Sequence, residues 1–103
     1  MIILKDKYVL HIPCVKWVDG KYLPVDVFGV VDELGKCLSQ YGIDALCYEK
    51  AMGRYKGREY EQLLVTVFCN KVNVGKLFLD ICRASDLQQE AYAYEHNGKL
   101  YIC

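Results

Sequence analysis

Hydrophobic and polar residues first alternate along this chain, then change period twice. In residues 8–16, Tyr8, Leu10, Ile12 and Cys14 fall on one face and Val9, His11, Pro13 and Val15 on the other, which predicts a strand. Pro13 has no N–H to give a ladder, so this strand has a free side near that point or ends there. Asp19-Gly20 marks a turn, and Tyr22-Leu23-Pro24 leads out of it. From Val25 the repeat lengthens: Val27, Val30, Val31, Leu34, Leu38 and Tyr41 recur at helical spacing, and Gly42 is placed to stop the helix. Residues 43–52 and 59–69 read as strands around Gly53-Arg54-Tyr55-Lys56-Gly57-Arg58. The stretch from Leu63 to Cys69 is apolar on both faces, as in a central strand covered on both sides. Asn73 can cap a second helix from Val74 to about Asp86, with Val74, Leu77, Phe78 and Ile81 as its stripe and Leu87 at its end. Residues 90–95 and 99–103 are short strands, and the Asn97-Gly98 pair between them is a hairpin signal.

The order strand, helix, strand, strand, helix, strand, with one more hairpin strand, predicts a single α+β domain over residues 1–103 of ferredoxin-like βαββαβ topology. Right-handed crossovers put both helices on one face of an antiparallel sheet. The other face is then bare. It would carry one side of the strand over 59–69 and half of every other strand, and Tyr92 and Tyr94 are candidates for it. A face that apolar and rich in tyrosine exceeds what a soluble monomer exposes. The expectation is a homo-oligomer, most simply a two-fold dimer packed sheet to sheet and otherwise a closed trimer. Alternatively, the loop from Trp17 to Pro24 or the first four residues fold over that face.

Composition narrows the function classes. With 103 residues, 53% of them hydrophobic, the chain can build one core but not two. Thirteen basic and thirteen acidic side chains cancel, which argues against a nucleic-acid binder. The longest apolar run, Leu63 to Cys69, is far short of the roughly 20 residues of a membrane span. The start, Met1-Ile2-Ile3-Leu4-Lys5, lacks the apolar stretch of a secretory signal, so a cytoplasmic protein with reduced thiols is expected. Cysteines at 14, 37, 47, 69, 82 and 103 form no metal-ligand spacing and read as small buried hydrophobes; no metal or cofactor is expected.

The motifs Gly53-Arg54-Tyr55, Arg58-Glu59-Tyr60-Glu61 and Gln89-Glu90-Ala91-Tyr92, followed by Asn97-Gly98-Lys99-Leu100-Tyr101, carry a resemblance. Over residues 42–103 they resemble a group of small, uncharacterised bacterial and mobile-element proteins. That resemblance implies a ferredoxin-like fold and brings no activity. The topology is also distantly similar to that of the PII and CutA proteins. In PII the loop between the second and third strands meets nucleotide phosphates; the corresponding position is 53–58. This is similarity of fold, and fold does not fix function.

The segment from Gly53 to Arg58 is the sharpest candidate site. Arg54, Lys56 and Arg58 can grip phosphate or carboxylate, and Tyr55 can stack on a ring. The same residues also suit an exposed hairpin kept soluble by charge, with Glu49, Glu59 and Glu61 pairing across it. Gln89 could bond the edge of a base or satisfy backbone groups at a helix end. Trp17, Tyr92 and Tyr94 are candidate partner contacts, and Trp17 could equally staple its loop to the sheet. His11 and His96, the two imidazoles, sit in no nucleophile–base motif and read as structural or solvated. Three functions stand side by side. The first is a non-enzymatic oligomeric module binding a small anionic or nucleotide-like ligand through Arg54, Tyr55, Lys56, Arg58 and Gln89. The second is an interaction or inhibitor protein of a mobile element. The third is a small enzyme with a pocket between the sheet and a partner subunit.

Overall fold

A computed structural model describes residues 1–85 and 87–103. The chain forms β1 (Asp6–Pro13), β2 (Val15–Val18), β3 (Lys21–Pro24), α1 (Val27–Ser39), β4 (Cys47–Tyr55), β5 (Arg58–Cys69), α2 (Val74–Ala84), β6 (Ala93–His96) and β7 (Lys99–Ile102). Five strands make an antiparallel sheet in the order β4-β5-β1-β6-β7; β2 and β3 pair only with each other. Removing that small hairpin and the edge strand β7 leaves the ferredoxin-like α+β arrangement, with two helices on one face.

Each helix starts where a short polar side chain competes for backbone N–H groups. Asp26 accepts from Gly29 N–H at 3.0 Å and Asn73 from Lys76 N–H at 3.1 Å. The expected helix end at Asp86 lies outside the described residues; α2 closes at Ala84 with Ser85 as its cap. The buried stripe of α1 is Val27, Val30, Val31, Leu34 and Leu38, and α2 contributes Val74, Phe78, Ile81 and Cys82. Both pack on Tyr8, Leu10 and Ile12 of β1 and on Leu63, Val65, Val67 and Cys69 of β5, and these strand residues are at most 4% exposed. At roughly 25 cal/mol per Å² of apolar surface, this layer dominates the stability. All six thiols are free, and burial raises those of Cys14, Cys69 and Cys82, the last to about 12.

The alternation puts Leu10 beside Val65 and Tyr94 on the helix side, and His11 beside Leu64 and Ala93 on the other. This corrects the sequence expectation for Tyr94. Its ring lies against Gly75 of α2 and stacks on Tyr101, 5.2 Å between centroids, so it belongs to the covered layer and not to the bare face. Tyr92 also packs against the core.

Two other boundaries move. The first expected strand breaks at Cys14, whose N–H donates to the Glu61 carbonyl while its own carbonyl accepts from Val25 N–H. The chain beyond is not a loop but the hairpin β2–β3, closed by Asp19-Gly20 with both φ values positive (50° and 78°). Likewise the segment 53–58 is mostly strand. β4 and β5 run on until Tyr55 faces Arg58, leaving a two-residue turn at Lys56-Gly57 (φ 50° and 77°).

Candidate functional site

Along the helix-free face the register aligns Glu49, Leu64, His11, Ala93 and Ile102 in one row across the sheet. The neighbouring row, towards the β4–β5 turn, holds Ala51, Gln62 and Pro13, and beyond it Gly53 faces Tyr60. β6 pairs with β1 only as far as His11, so the sheet narrows there and leaves Pro13 with a free side. An open cleft of about 870 Å³ occupies this step.

Its floor is His11, Pro13, Gln62 and Ala93. One wall is the β2–β3 hairpin, with Trp17 and Tyr22 edge to face at 4.6 Å. A second wall is the end of β4–β5, including Tyr55 and Tyr60. The third comes from residues 88–92, and Leu100 and Ile102 border it. Glycine at position 53 makes room for a ring. A Cβ there would stand 2.8 Å from Tyr60 Cζ and 3.0 Å from Gln62 Nε2. Thus the hairpin around Trp17, expected as one possible cover of the bare face, closes one end of it.

Polar contacts tie the walls together. Gln89 Nε2 donates to the Val15 carbonyl and to the Leu87 carbonyl, both at 2.9 Å, fastening the third wall to β2. Lys56 Nζ bonds Glu90 Oε1 at 2.6 Å across the gap between second and third walls, and this contact raises the Lys56 pKa. Arg54 pairs with Glu59, and Arg58 lies 5.2 Å over the Trp17 ring. The structure therefore brings Trp17, Arg54, Tyr55, Lys56, Arg58, Gln89 and Tyr92 to one cleft and leaves Tyr94 outside it. It also engages Arg54 and Lys56 with carboxylates and Arg58 with an indole.

As site residues, Tyr22, Tyr60 and Gln62 are missing from the sequence reading, and His11 is weighed there but read as structural or solvated; all four line the cleft. The available signal was the alternation of Tyr60 and Gln62 with acidic neighbours at the start of β5, a polar interruption of an otherwise apolar face. His11 Nε2 is buried and has no hydrogen-bond partner among the described residues. Burial pushes the His11 pKa below its usual value, against a smaller opposite pull from Glu95, so the imidazole is held neutral. Among the described residues, no group of three His, Cys, Asp or Glu side chains could hold a metal ion, and no helix is long and apolar enough to cross a membrane.

No protein-family model and no curated protein matches the chain. Two solved structures do. A phage SAM lyase in its apo state superposes with a TM-score of 0.61 at 14% identity, covering 95% of this chain and 87% of that one. A phage SAM lyase in complex with S-methyl-5'-thioadenosine gives 0.52 at 13% identity, covering 100% and 94%. This chain shares their fold, and at such identity the likeness extends to the fold alone.

Proposed function

We propose that the cleft on the helix-free face binds a small metabolite of the S-adenosylmethionine and methylthioadenosine class, a purine joined through ribose to a sulfur centre. The observation that carries this reading is the meeting of aromatic rings from separate elements, Trp17, Tyr22, Tyr55, Tyr60 and Tyr92, with the amides of Gln62 and Gln89 in one cleft. Rings stack on a base and attract a sulfonium cation by their π faces. The Gln62 amide offers the paired donor and acceptor that a purine edge requires, while Gln89, whose Nε2 is committed to two backbone carbonyls, holds the wall in place. The cleft lies within the roughly 300–1,000 Å³ of small-molecule sites. The fold shared with phage SAM lyases, one of them in complex with S-methyl-5'-thioadenosine, supports the ligand class. Isothermal titration of the protein with S-methyl-5'-thioadenosine and with S-adenosylmethionine tests it. Saturable binding of either, lost in Trp17→Ala, is expected; no heat from either at millimolar ligand removes the reading.

The same likeness favours a second reading, cleavage of S-adenosylmethionine: the bond from sulfur to the aminobutyrate carbon breaks, sulfur keeps the electron pair and leaves as S-methyl-5'-thioadenosine, and the substrate's own carboxylate closes on the freed carbon to give a lactone. Incubation with S-adenosylmethionine followed by chromatography separates a binder, which returns the ligand intact, from an enzyme, which releases the thioether. In both readings the rest of the helix-free face, where Phe68 is 46% exposed and Ile102 62%, is shielded by a further copy of the chain. Light scattering should then report a multiple of 11.9 kDa, and a monomer mass at micromolar concentration would refute that assembly.

A further inference from the structure

His11 occupies the centre of the cleft floor, on the middle strand of the sheet. Its direct cross-strand neighbours, Leu64 and Ala93, have no polar side-chain atom to give it. The diagonal neighbours Gln62, Thr66 and Glu95 do have such atoms, yet none bonds Nε2. A buried imidazole nitrogen without a partner destabilises the fold, and an apolar side chain of similar size at this position would not. Such groups in native proteins call for an explanation, and a ligand is one of the few available. Elsewhere the fold satisfies its polar groups with care. At the other end of β1, Asp6 accepts from Lys71 N–H, from Asn97 Nδ2 and, at 3.2 Å, bonds His96 Nε2. The contrast within one strand marks His11 as the position where a partner is missing.

We infer that His11 is the polar anchor of the cleft floor, its Nε2 forming a hydrogen bond with the bound ligand that no protein group supplies. This rests on the reading of the cleft as a site for an adenosine-type thioether or sulfonium. A neutral imidazole can donate or accept at Nε2 according to its tautomer, so it matches either a purine ring nitrogen or a ribose hydroxyl. A ligand seated on the floor, against His11, supplies the partner. His11 is thus a ligand-contacting residue whose presence lowers the stability of the empty protein and raises affinity.

The test compares wild type with His11→Leu and His11→Gln, titrating S-methyl-5'-thioadenosine calorimetrically and recording Tm without ligand. His11→Leu should bind about tenfold more weakly, the loss of one hydrogen bond to ligand, while melting at the same or a higher temperature. His11→Gln, whose amide nitrogen reaches close to the Nε2 position, should recover most of the affinity. Wild-type binding that His11→Leu leaves unchanged overturns this inference and leaves the site reading standing. A lower Tm in His11→Leu, with no recovery of affinity in His11→Gln, marks a structural histidine and overturns it too. No binding by wild type of either S-methyl-5'-thioadenosine or S-adenosylmethionine overturns the site reading and this inference with it.

Discussion

The two faces of the central strands are made from alternate residues of the same segments, yet they meet different surroundings. On the helix side, Leu10, Ile12, Val65 and Val67 are fully buried among the side chains of α1 and α2. On the other side, Val9, His11, Leu64 and Thr66 are only half-buried, and polar groups interrupt the apolar ones. A one-residue step along β1 therefore separates a position that packs from a position that faces a cleft. The lesson is a division of labour. The helix side holds the sheet together, and the helix-free side can carry groups such as His11 that stability alone would reject.

The largest effect expected from this division is in the core. Phe78, fully buried in α2, should lose about 3–5 kcal/mol of stability as Phe78→Ala, whereas Leu64→Ala on the half-buried face should lose less than about 2 kcal/mol. Equal losses in urea unfolding would break the comparison. Next comes Gly75→Ala. The added Cβ would run into the Tyr94 ring where α2 rests on β6, and about 1–3 kcal/mol should be lost on repacking. Gly53→Ala sharpens the contrast, because its Cβ meets the Tyr60 ring in the cleft. Ligand affinity should fall there by more than stability does.

Acid separates the faces again. The folded-state pKa of His11 is depressed, so the unfolded chain takes up a proton first as pH falls through the ordinary value of 6.5. Stability is complete above that pH and declines below it, towards the folded pKa. His11→Leu should flatten that part of a Tm-against-pH curve. Asp6 is also depressed, chiefly by the Lys71 N–H and then by His96 and Asn97. Its contribution is present above 3.8 and is lost as pH falls through its lower folded value, so Asp6→Asn should change only the more acidic limb. The smallest effect is expected at the hairpin end. Arg54 and Glu59 are mostly exposed, and Arg54→Ala should change unfolding free energy by less than about 1 kcal/mol.

Much of the fold is readable in the residue pattern because it depends on local periodicity. The stripe Val27, Val30, Val31, Leu34, Leu38, the cap Asn73 and the Asn97-Gly98 turn each declare their element without reference to distant parts. What the pattern hides depends on pairing. Residues 15–24 look like a strand end and a loop until Val15 is seen facing Pro24 and Trp17 facing Tyr22. Gly53, a turn residue by composition, proves to be a strand residue because Tyr60 needs the space above it. Tyr94 and Tyr92 share a face by alternation, but only the position of α2 decides that Tyr94 is covered. The site was partly legible, since Arg54, Tyr55, Lys56, Arg58, Gln89 and Trp17 do line one cleft. Their partners were not: Glu90 lies 34 residues from Lys56 in the chain, and the burial of His11 follows from strands β5 and β6 that flank it.

The proposed ligand chemistry belongs to the face the helices leave open. Its most direct test is a titration of isotope-labelled protein with S-methyl-5'-thioadenosine, following backbone amide signals by NMR. Saturable shifts are expected, concentrated at His11, Trp17, Tyr22, Tyr60, Gln62 and residues 88–93, with the buried stripe of α1 unmoved. Shifts centred on α1 and α2, or a spectrum unchanged at millimolar ligand, would contradict it.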